Sequence, residues 1–312
     1  MDTNRILGLH HITAIANNAQ RNYDFYTRVL GLRLVKKTVN FDDPGTYHFY
    51  FGDETGSPGT ILTFFPWEGI GPGQDGVGMA TEIGYSVPSG SLVNWMAHFT
   101  KQGVKMGQPV ERFGETLLPF TDPDGLSLAL IESSQPDSRP GWVTESINAD
   151  EATRGFHSVT LTLQQIDRTA RVLTDIFGYT QQGQEGNRHR FVTDAVPEAA
   201  IVDLIEAPTG STGRNAAGTN HHVAFRVANE TVQQAFREKI LSSGLQITPK
   251  IDRDYFFSLY FREPGGVLFE LATDNPGFTV DEPLDELGSQ LRLPKQYESS
   301  RAKIEAVLPT LR

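Results

Sequence analysis

The sequence predicts an α+β fold of four βαβββ modules in two domains of paired modules, each pair forming a curved, half-open barrel. Two observations support this prediction. Four segments repeat one plan, in which a short alternating strand is followed by an amphipathic helix and then by a glycine. The distance from the strand start to that glycine is nearly constant, at 20, 21, 21 and 22 residues. Such a repeat indicates a unit that buries its apolar faces by pairing with a neighbour.

The first module begins with a predicted strand at 11–16, followed by a predicted helix. Tyr26, Val29 and Leu30 recur at helical spacing and form one apolar stripe on that helix. Gly31 follows, and glycine tolerates the left-handed backbone conformation that commonly ends a helix.

The second and third modules repeat the pattern. The second has a strand at 81–87 and a helix within 91–104. The third has a strand at 156–163 and a helix within 166–179. In both modules, apolar segments with period two follow the helix, which predicts about three further strands.

The fourth module has the most regular helix. Its first strand is predicted at 221–227, and Val232, Phe236 and Ile240 then lie at i, i+4 and i+8. Gly244 follows as a predicted helix end. Proline- and glycine-containing turns separate the later strands of this module, as they do in the second.

A polar segment rich in serine, proline and aspartate separates the second module from the third, and it predicts a linker. The tail after the fourth module begins acidic and ends in a helical pattern outside the repeat. We expect a docked C-terminal helix there, with a lid over the functional site as the alternative. The predicted units are an N-terminal domain at 1–134, a linker at 135–150, a C-terminal domain at 151–278 and a tail at 279–312.

Composition limits the classes of function. The net charge of −11 argues against binding to nucleic acid or to an anionic membrane surface, both of which require a basic patch. The chain has no cysteine, which excludes thiolate metal sites, disulfides and cysteine nucleophiles. No apolar run approaches the ~18 residues of a membrane span, and the N-terminus lacks the apolar core of a signal peptide. We therefore expect a cytoplasmic protein without nucleic-acid or membrane partners.

Two tandem histidine pairs point to a metal site. His10 and His11 open the first strand of module one, and His221 and His222 open that of module four. Glu270 lies in the last strand of module four. Two imidazoles and one carboxylate can hold a divalent metal ion and leave positions open for a substrate. The sequence therefore predicts a catalytic metal centre built from these segments.

Spacing alone leaves two candidate ligand sets. The distance to the glycine after each helix places a histidine at the strand start in modules one, three and four. The ligand set is therefore either His11, His222 and Glu270 or His157, His222 and Glu270. The position of module two that matches the glutamate holds Ala129. The carboxylate is therefore particular to module four. His48 and His98 have no such support and are expected to be structural. His189 is expected on a solvated face or at the rim of a site.

Several motifs together resemble the vicinal oxygen chelate superfamily (glyoxalase, bleomycin resistance and extradiol dioxygenase proteins). Within it, the chain resembles the hydroquinone and dichlorohydroquinone ring-cleaving dioxygenases. The segments that match are LHHIT (9–13), YHFYFGDETGSPGT (47–60), RGFHSVT (154–160), EGNRHRF (185–191), HHVAF (221–225) and YFREPGGVLFELAT (260–273). The resemblance implies a glyoxalase/extradiol dioxygenase fold and cleavage of a hydroquinone-class ring by O2.

The resemblance also implies ligands and a cofactor. The residues that match the family's metal ligands are His11, His222 and Glu270, and the implied metal is Fe(II), with Mn(II) as the alternative ion. The residues that match its catalytic and substrate-contacting positions are His10, Thr13, His221, Arg253 and Tyr260. The expected partners are a small aromatic substrate and O2, and we expect a homo-oligomer.

Two other functions remain open for this scaffold. One is a metal-dependent lyase or isomerase of the glyoxalase type, using Zn or Ni. That class usually has more carboxylate among its metal ligands, and Ala129 argues against it. The other is a metal-free binding or resistance protein, against which the intact ligand set argues. Oxygen consumption distinguishes a dioxygenase from both.

Overall fold

The computed structural model describes residues 5–312, and its elements follow the four-module plan. The first module comprises β1 (Leu9–Ala16), α1 (Ala19–Asp24), β2 (Arg33–Val39), β3 (Tyr47–Gly52) and β4 (Ile61–Pro66). The second comprises β5 (Met79–Val87), α2 (Leu92–Gln102), β6 (Val110–Arg112), β7 (Glu115–Thr121) and β8 (Ser127–Glu132). The start of the predicted N-terminal domain, residues 1–4, lies outside the described part of the chain.

The second half of the chain repeats this order. The third module comprises β9 (Phe156–Leu163), α3 (Asp167–Arg171), β10 (Thr180–Glu185), β11 (Arg188–Val192) and β12 (Ile201–Glu206). The fourth comprises β13 (Thr219–Val227), α4 (Glu230–Ser242), β14 (Ile251–Asp252), β15 (Phe256–Arg262) and β16 (Leu268–Pro276). A π-helical turn continues α1 at Phe25–Val29 and α3 at Val172–Ile176.

All four helices are followed by the predicted glycine in a left-handed conformation. The φ angles are 71° at Gly31, 70° at Gly103, 80° at Gly178 and 85° at Gly244. A side chain with a Cβ rarely adopts such angles. The glycine spacing therefore marks the helix ends correctly in every module.

The strands form two eight-stranded sheets, each curled into a half-open barrel. One sheet has the order β14-β15-β16-β13-β1-β4-β3-β2, and the other has the order β10-β11-β12-β9-β5-β8-β7-β6. Module one therefore shares its sheet with module four, and module two with module three. This differs from the expectation that consecutive modules pair. The first strand of each module lies at the edge of its own four strands, and these edges join antiparallel, β1 to β13 and β5 to β9.

Each of these antiparallel junctions contains two β-bulges. The register across β1 and β13 skips His10 on one strand and His221 on the other. The register across β5 and β9 skips Thr81 and His157 in the same way. A bulge changes the direction in which a strand points its side chains. Both tandem histidine pairs therefore lie where strict alternation is broken.

The helices pack against the apolar face of the sheets. In module one the ring of Tyr26 lies 4.5 Å from that of Phe64, measured between centroids. In module four the predicted stripe of Val232, Phe236 and Ile240 is buried. The apolar core therefore lies between helices and sheet, which leaves the opposite face of each sheet for polar groups.

The segment 135–150 contains no helix or strand. The tail includes short 3-10 turns and ends in α5 (Arg301–Val307). It docks on β2, where the fully buried ammonium group of Lys36 lies 2.6 Å from Asp281 and also contacts Glu282. Ile304 of α5 is buried as well. No helix within 5–312 combines the length and apolar character needed to cross a membrane.

Candidate metal centre

His11, His222 and Glu270 converge in the sheet shared by modules one and four. His11 Nε2 lies 3.2 Å from Glu270 Oε2, and His222 Nε2 lies 2.9 Å from the same oxygen. One ligand atom from each residue lies within 4.8 Å of the other two. All three side chains are buried. The structure thus brings together the first of the two ligand sets that spacing left open.

Strand register explains why these residues meet. Ala224 in β13 pairs with His11 in β1 on one side and with Glu270 in β16 on the other. Paired residues point to the same face of a sheet. His222 lies two residues before Ala224 and shares that face. The small side chain of Ala224 leaves the space between the three larger groups open.

The donor set fits a cation. Within the described part of the chain, Glu270 Oε2 is buried and makes no hydrogen bond of normal geometry, although two imidazole nitrogens lie nearby. Glu270 Oε1 accepts a hydrogen bond from Ser258, which fixes the carboxylate plane. A buried acceptor without a donor is unfavourable unless a ligand satisfies it. Two imidazoles and a carboxylate are suitable ligands for a divalent transition metal.

His10 fixes the orientation of His11. Its Nδ1 lies 2.9 Å from His11 Nδ1, and its Nε2 lies 3.1 Å from the carbonyl oxygen of Thr273. Burial and the neighbouring His11 hold the pKa of His10 well below its usual value, so His10 is neutral. Its single proton must lie on Nε2 to satisfy the carbonyl. His11 therefore donates from Nδ1 and keeps the Nε2 lone pair free for a metal ion.

His221 has the same relation to His222. The two Nδ1 atoms lie 2.8 Å apart. Burial, assisted by His222, lowers the pKa of His221 to about 4. Unlike His10, which lies behind His11, His221 is only partly buried and lines a cavity that opens onto the centre.

The centre is electrostatically suited to a cation. Burial by itself raises the pKa of Glu270, but His11 and His222 outweigh it and hold that pKa well below its usual value. Burial lowers the pKa of His222, against the opposing effect of Glu270. At neutral pH the Glu270 carboxyl is therefore ionised and the His222 imidazole is neutral.

A cavity of about 240 Å³ lies against this centre. Its apolar wall includes Phe41, Phe65, Trp67 and Phe256. Such a cavity suits a small aromatic molecule, because aromatic walls exclude water and a few polar groups can orient the ring.

Three more of the predicted residues, Thr13, Arg253 and Tyr260, also line this cavity. The guanidinium Nε of Arg253 lies 3.4 Å from the hydroxyl oxygen of Tyr260. The guanidinium also lies over the ring of Phe41, 5.3 Å from its centroid. Tyr260 pairs with Glu270 across β15 and β16, which places its hydroxyl beside the centre.

Sequence reasoning missed part of the cavity wall. His48, expected to be structural, lines the cavity together with Tyr50, two residues later in β3. His48 Nε2 lies 2.9 Å from Thr63 Oγ1. The alternation in YHFYFG places His48 and Tyr50 on one face, and that was the available signal. His98 donates to the backbone oxygen of Val29 over 2.9 Å, consistent with a structural role.

The repeat position of His157 is corrected by the sheet register. His11 and Ser158 pair with the first residues of β4 and β12, respectively, and the bulged residue before each is a histidine. His157 is therefore the counterpart of His10, not of His11. The count from Ser158 to Gly178 is 20 residues, the same as from His11 to Gly31. His157 Nε2 lies 3.2 Å from Glu115, away from the candidate centre.

Comparison with known proteins shows the family of the chain. A family model described as the Glyoxalase/Bleomycin resistance protein/Dioxygenase superfamily matches residues 8–130 and 155–271. A provisionally named ring-cleaving dioxygenase of Bacillus subtilis (MhqO) is 45% identical over 303 residues, which cover 96% of this chain and 95% of that protein. A chlorohydroquinone/hydroquinone 1,2-dioxygenase of Sphingobium indicum is 36% identical over 306 residues, which cover 96% and 95%.

A solved structure gives the same result for the whole chain. The crystal structure of a provisionally named dioxygenase from Bacillus subtilis superposes with a TM-score of 0.95 at 44% identity, covering 99% of this chain and 98% of that one. The family model, the relatives and the solved structure agree over nearly the full length of the chain. The chain therefore belongs to the glyoxalase/bleomycin resistance protein/dioxygenase superfamily and, within it, to the family of ring-cleaving dioxygenases.

Proposed function

We propose that the protein is an Fe(II)-dependent, extradiol-type dioxygenase that cleaves the ring of hydroquinone-class (1,4-dihydroxybenzene) compounds. Both atoms of O2 enter the product, a muconic semialdehyde-type chain. The main support is the convergence of His11, His222 and Glu270 at the end of an aromatic-walled cavity. The name of the Sphingobium relative supports hydroquinones as the substrate class.

His11, His222 and Glu270 would hold the metal, with Fe(II) as the proposed ion and Mn(II) as the alternative. Two neutral imidazoles and one carboxylate leave a divalent ion with a net charge of about +1. Ferrous iron, when bound, would supply open coordination positions for a substrate oxygen and O2 and a path for electrons between them.

The remaining predicted residues act on the substrate or position other groups. Arg253 carries a positive charge into the cavity and stabilises a phenolate oxygen. The hydroxyl of Tyr260 donates a hydrogen bond to the same substrate oxygen. Because its Nδ1 accepts a hydrogen bond from His222, His221 presents the N–H of its neutral imidazole to the cavity and can donate that proton to an oxygen of the substrate or of O2. His10 acts only by positioning His11, because it lies behind that ring.

The proposal is tested by anaerobic loading with Fe(II), followed by O2-uptake measurements with hydroquinone and with catechol. We expect one O2 consumed per hydroquinone and a new semialdehyde-type absorbance, with slower uptake for catechol. Protein carrying Glu270→Gln, treated in the same way, is the control and should show no uptake.

Iron-loaded protein that consumes no O2 with any dihydroxybenzene would refute the proposal. Turnover without O2 uptake would instead indicate a lyase or isomerase of the same superfamily. Binding without turnover would indicate a binding protein. Metal analysis of the protein then distinguishes the lyase and binding-protein outcomes from incomplete loading with iron.

A further inference from the structure

Four buried polar side chains form a continuous hydrogen-bonded chain in the cavity wall. Thr13 Oγ1 lies 2.9 Å from Thr63 Oγ1, and Thr63 Oγ1 lies 2.9 Å from His48 Nε2. His48 Nδ1 lies 3.0 Å from the hydroxyl oxygen of Tyr50. Thr13, His48 and Tyr50 line the cavity, whereas Thr63 links them from below.

Strand register gives this chain a direction. Thr13 in β1 pairs with His222 in β13, and on its other side it pairs with Thr63 in β4. Thr63 pairs in turn with Tyr50 in β3. These residues form one row across four adjacent strands, which begins at a candidate metal ligand. The Thr13 end therefore adjoins the metal centre, and the Tyr50 end lies three strands away from His222.

The number of protons allows only two arrangements of the hydrogen bonds among these four side chains. Three hydroxyls and one neutral imidazole carry four protons, whereas the three hydrogen bonds use three. Burial holds the pKa of His48 well below its usual value, which keeps the ring neutral. If the buried Thr63 hydroxyl donates its proton in one of these bonds, the one proton that is not donated within the chain lies on Thr13 or on Tyr50. Reversing all three bonds converts one arrangement into the other.

We propose that this chain is a proton relay whose Tyr50 end binds the hydroxyl of the aromatic substrate that lies away from the metal centre. The inference rests on the proposed function and extends it to the recognition of the second hydroxyl. A 1,4-dihydroxybenzene has such a hydroxyl opposite the one at the centre. The relay thus favours 1,4-diols over phenols with a single hydroxyl.

The relay moves one proton without changing its own charge. The distal O–H bond of the substrate breaks, its electron pair stays on the substrate oxygen, and the proton passes to the Tyr50 oxygen. The Tyr50 proton moves to His48 Nδ1, and the His48 Nε2 proton moves to Thr63. The Thr63 proton moves to Thr13. Thr13 then releases its own proton to an oxygen atom of the substrate or of O2 that lies beside His222. Each member gains one proton and loses one.

The test separates binding from proton transfer. Thr63→Val removes the central hydroxyl and keeps the shape of the side chain, and Thr63→Ser is its matched control. With hydroquinone, we expect Thr63→Val to lower kcat by about tenfold or more, as for the loss of a proton-transfer group, while KM changes by less than about threefold. Thr63→Ser should restore kcat. Thermal unfolding of both variants shows whether the fold is intact.

Tyr50→Phe tests the recognition of the second hydroxyl without turnover. Anaerobic binding of hydroquinone and of 4-methoxyphenol is measured by the fluorescence change of Trp67, which lines the cavity. We expect wild-type protein to prefer hydroquinone, and Tyr50→Phe to reduce that preference about three- to tenfold, the value of one hydrogen bond. Thr63→Val should keep the preference, because the contact between His48 and Tyr50 remains.

The two hypotheses fail in different ways. If wild-type protein consumes O2 with hydroquinone and Thr63→Val has the same kcat, the relay is refuted and the proposed function stands. If wild-type protein consumes no O2, the proposed function is refuted. The relay is then refuted as well, because it rests on that function. An unchanged binding preference in Tyr50→Phe refutes the placement of the distal hydroxyl.

Discussion

At the scale of single residues, each histidine that can hold the metal has a histidine neighbour that fixes its proton. The contact between the Nδ1 atoms is 2.9 Å for His10 and His11 and 2.8 Å for His221 and His222. In each pair the residue at the β-bulge orients its neighbour, and that neighbour, the next residue in the chain, is the candidate ligand. The tandem repetition of histidine therefore has a structural cause, because ligand and orienting group are adjacent in the chain.

Loss of any one ligand should abolish metal retention. We expect His11→Ala, His222→Ala and Glu270→Ala proteins to contain no iron above background after anaerobic loading and gel filtration, because two remaining donors hold a divalent ion weakly. The measurement is metal content per chain. His157→Ala is the matched control, since it removes a buried histidine at a repeated bulge, and it should retain iron like the wild type. Full iron content in His222→Ala would contradict the ligand assignment.

The sequence predicted the three candidate ligands and four other residues that line the cavity, but it missed His48 and Tyr50. A buried histidine in an alternating strand has the same pattern whether it faces a core or a cavity. Only the packing of β3 beside β4 shows that His48 contacts Thr63 and lines the space next to the centre.

At the scale of elements, the same bulged junction has different contents in the two barrels. Between modules two and three, Arg190 makes two contacts with Asp203, at 3.0 and 3.1 Å, and one with Glu115 at 2.8 Å. His157 also lies 3.2 Å from Glu115. By strand register, Ser158, Glu82 and Ala129 take the places of the three candidate ligands, and Glu82 forms an ion pair with Arg112. The two junctions differ through a few side chains, whereas the strand geometry is shared.

This ion network should make stability depend on pH. Burial raises the pKa of Glu115, but the hydrogen bonds from His157 and Arg190 outweigh it and hold that pKa at about 2, below the usual 4.5. The unfolded chain thus binds a proton at higher pH than the folded protein does. The stabilisation by Glu115 is present above about pH 4.5 and is lost as the pH falls toward 2.

Glu115→Gln should reveal this dependence. At pH 7 we expect the variant to be less stable by about 2 kcal/mol, the usual range for a hydrogen bond between charged groups. The difference from the wild type should shrink as the pH falls from 4.5 to 3. Urea unfolding of both proteins at several pH values measures it. A difference that stays constant over that range would contradict the assignment of the acid-sensitive contact to Glu115.

At the scale of the whole molecule, the candidate centre joins the two ends of the chain. His11 belongs to the first module and His222 and Glu270 to the last, and all three lie in one sheet. An ion bound there would cross-link strands that are distant in sequence. Its binding free energy would therefore contribute to the stability of the complete sheet.

Metal binding should raise the unfolding temperature. A free metal concentration 100 times the dissociation constant adds about 2.7 kcal/mol, which corresponds to a few degrees in a protein of this size. Calorimetric scans with Fe(II) under anaerobic conditions, and again after adding a chelator, measure the shift. His222→Ala is the control and should show no shift with metal. Equal shifts in the variant and the wild type would indicate binding elsewhere.

The sequence by itself determined the module plan, the helix ends and two candidate ligand sets. Apolar periodicity, glycine spacing and residue chemistry are local properties, and the left-handed glycines after every helix confirm how well they predict local structure. Only the tertiary structure decided that module one pairs with module four and that His157 corresponds to His10. Those facts depend on hydrogen bonds between distant strands and on bulges that shift their register by one residue. Repeat spacing in one sequence does not record either feature, because long-range pairing leaves no periodic signal along the chain.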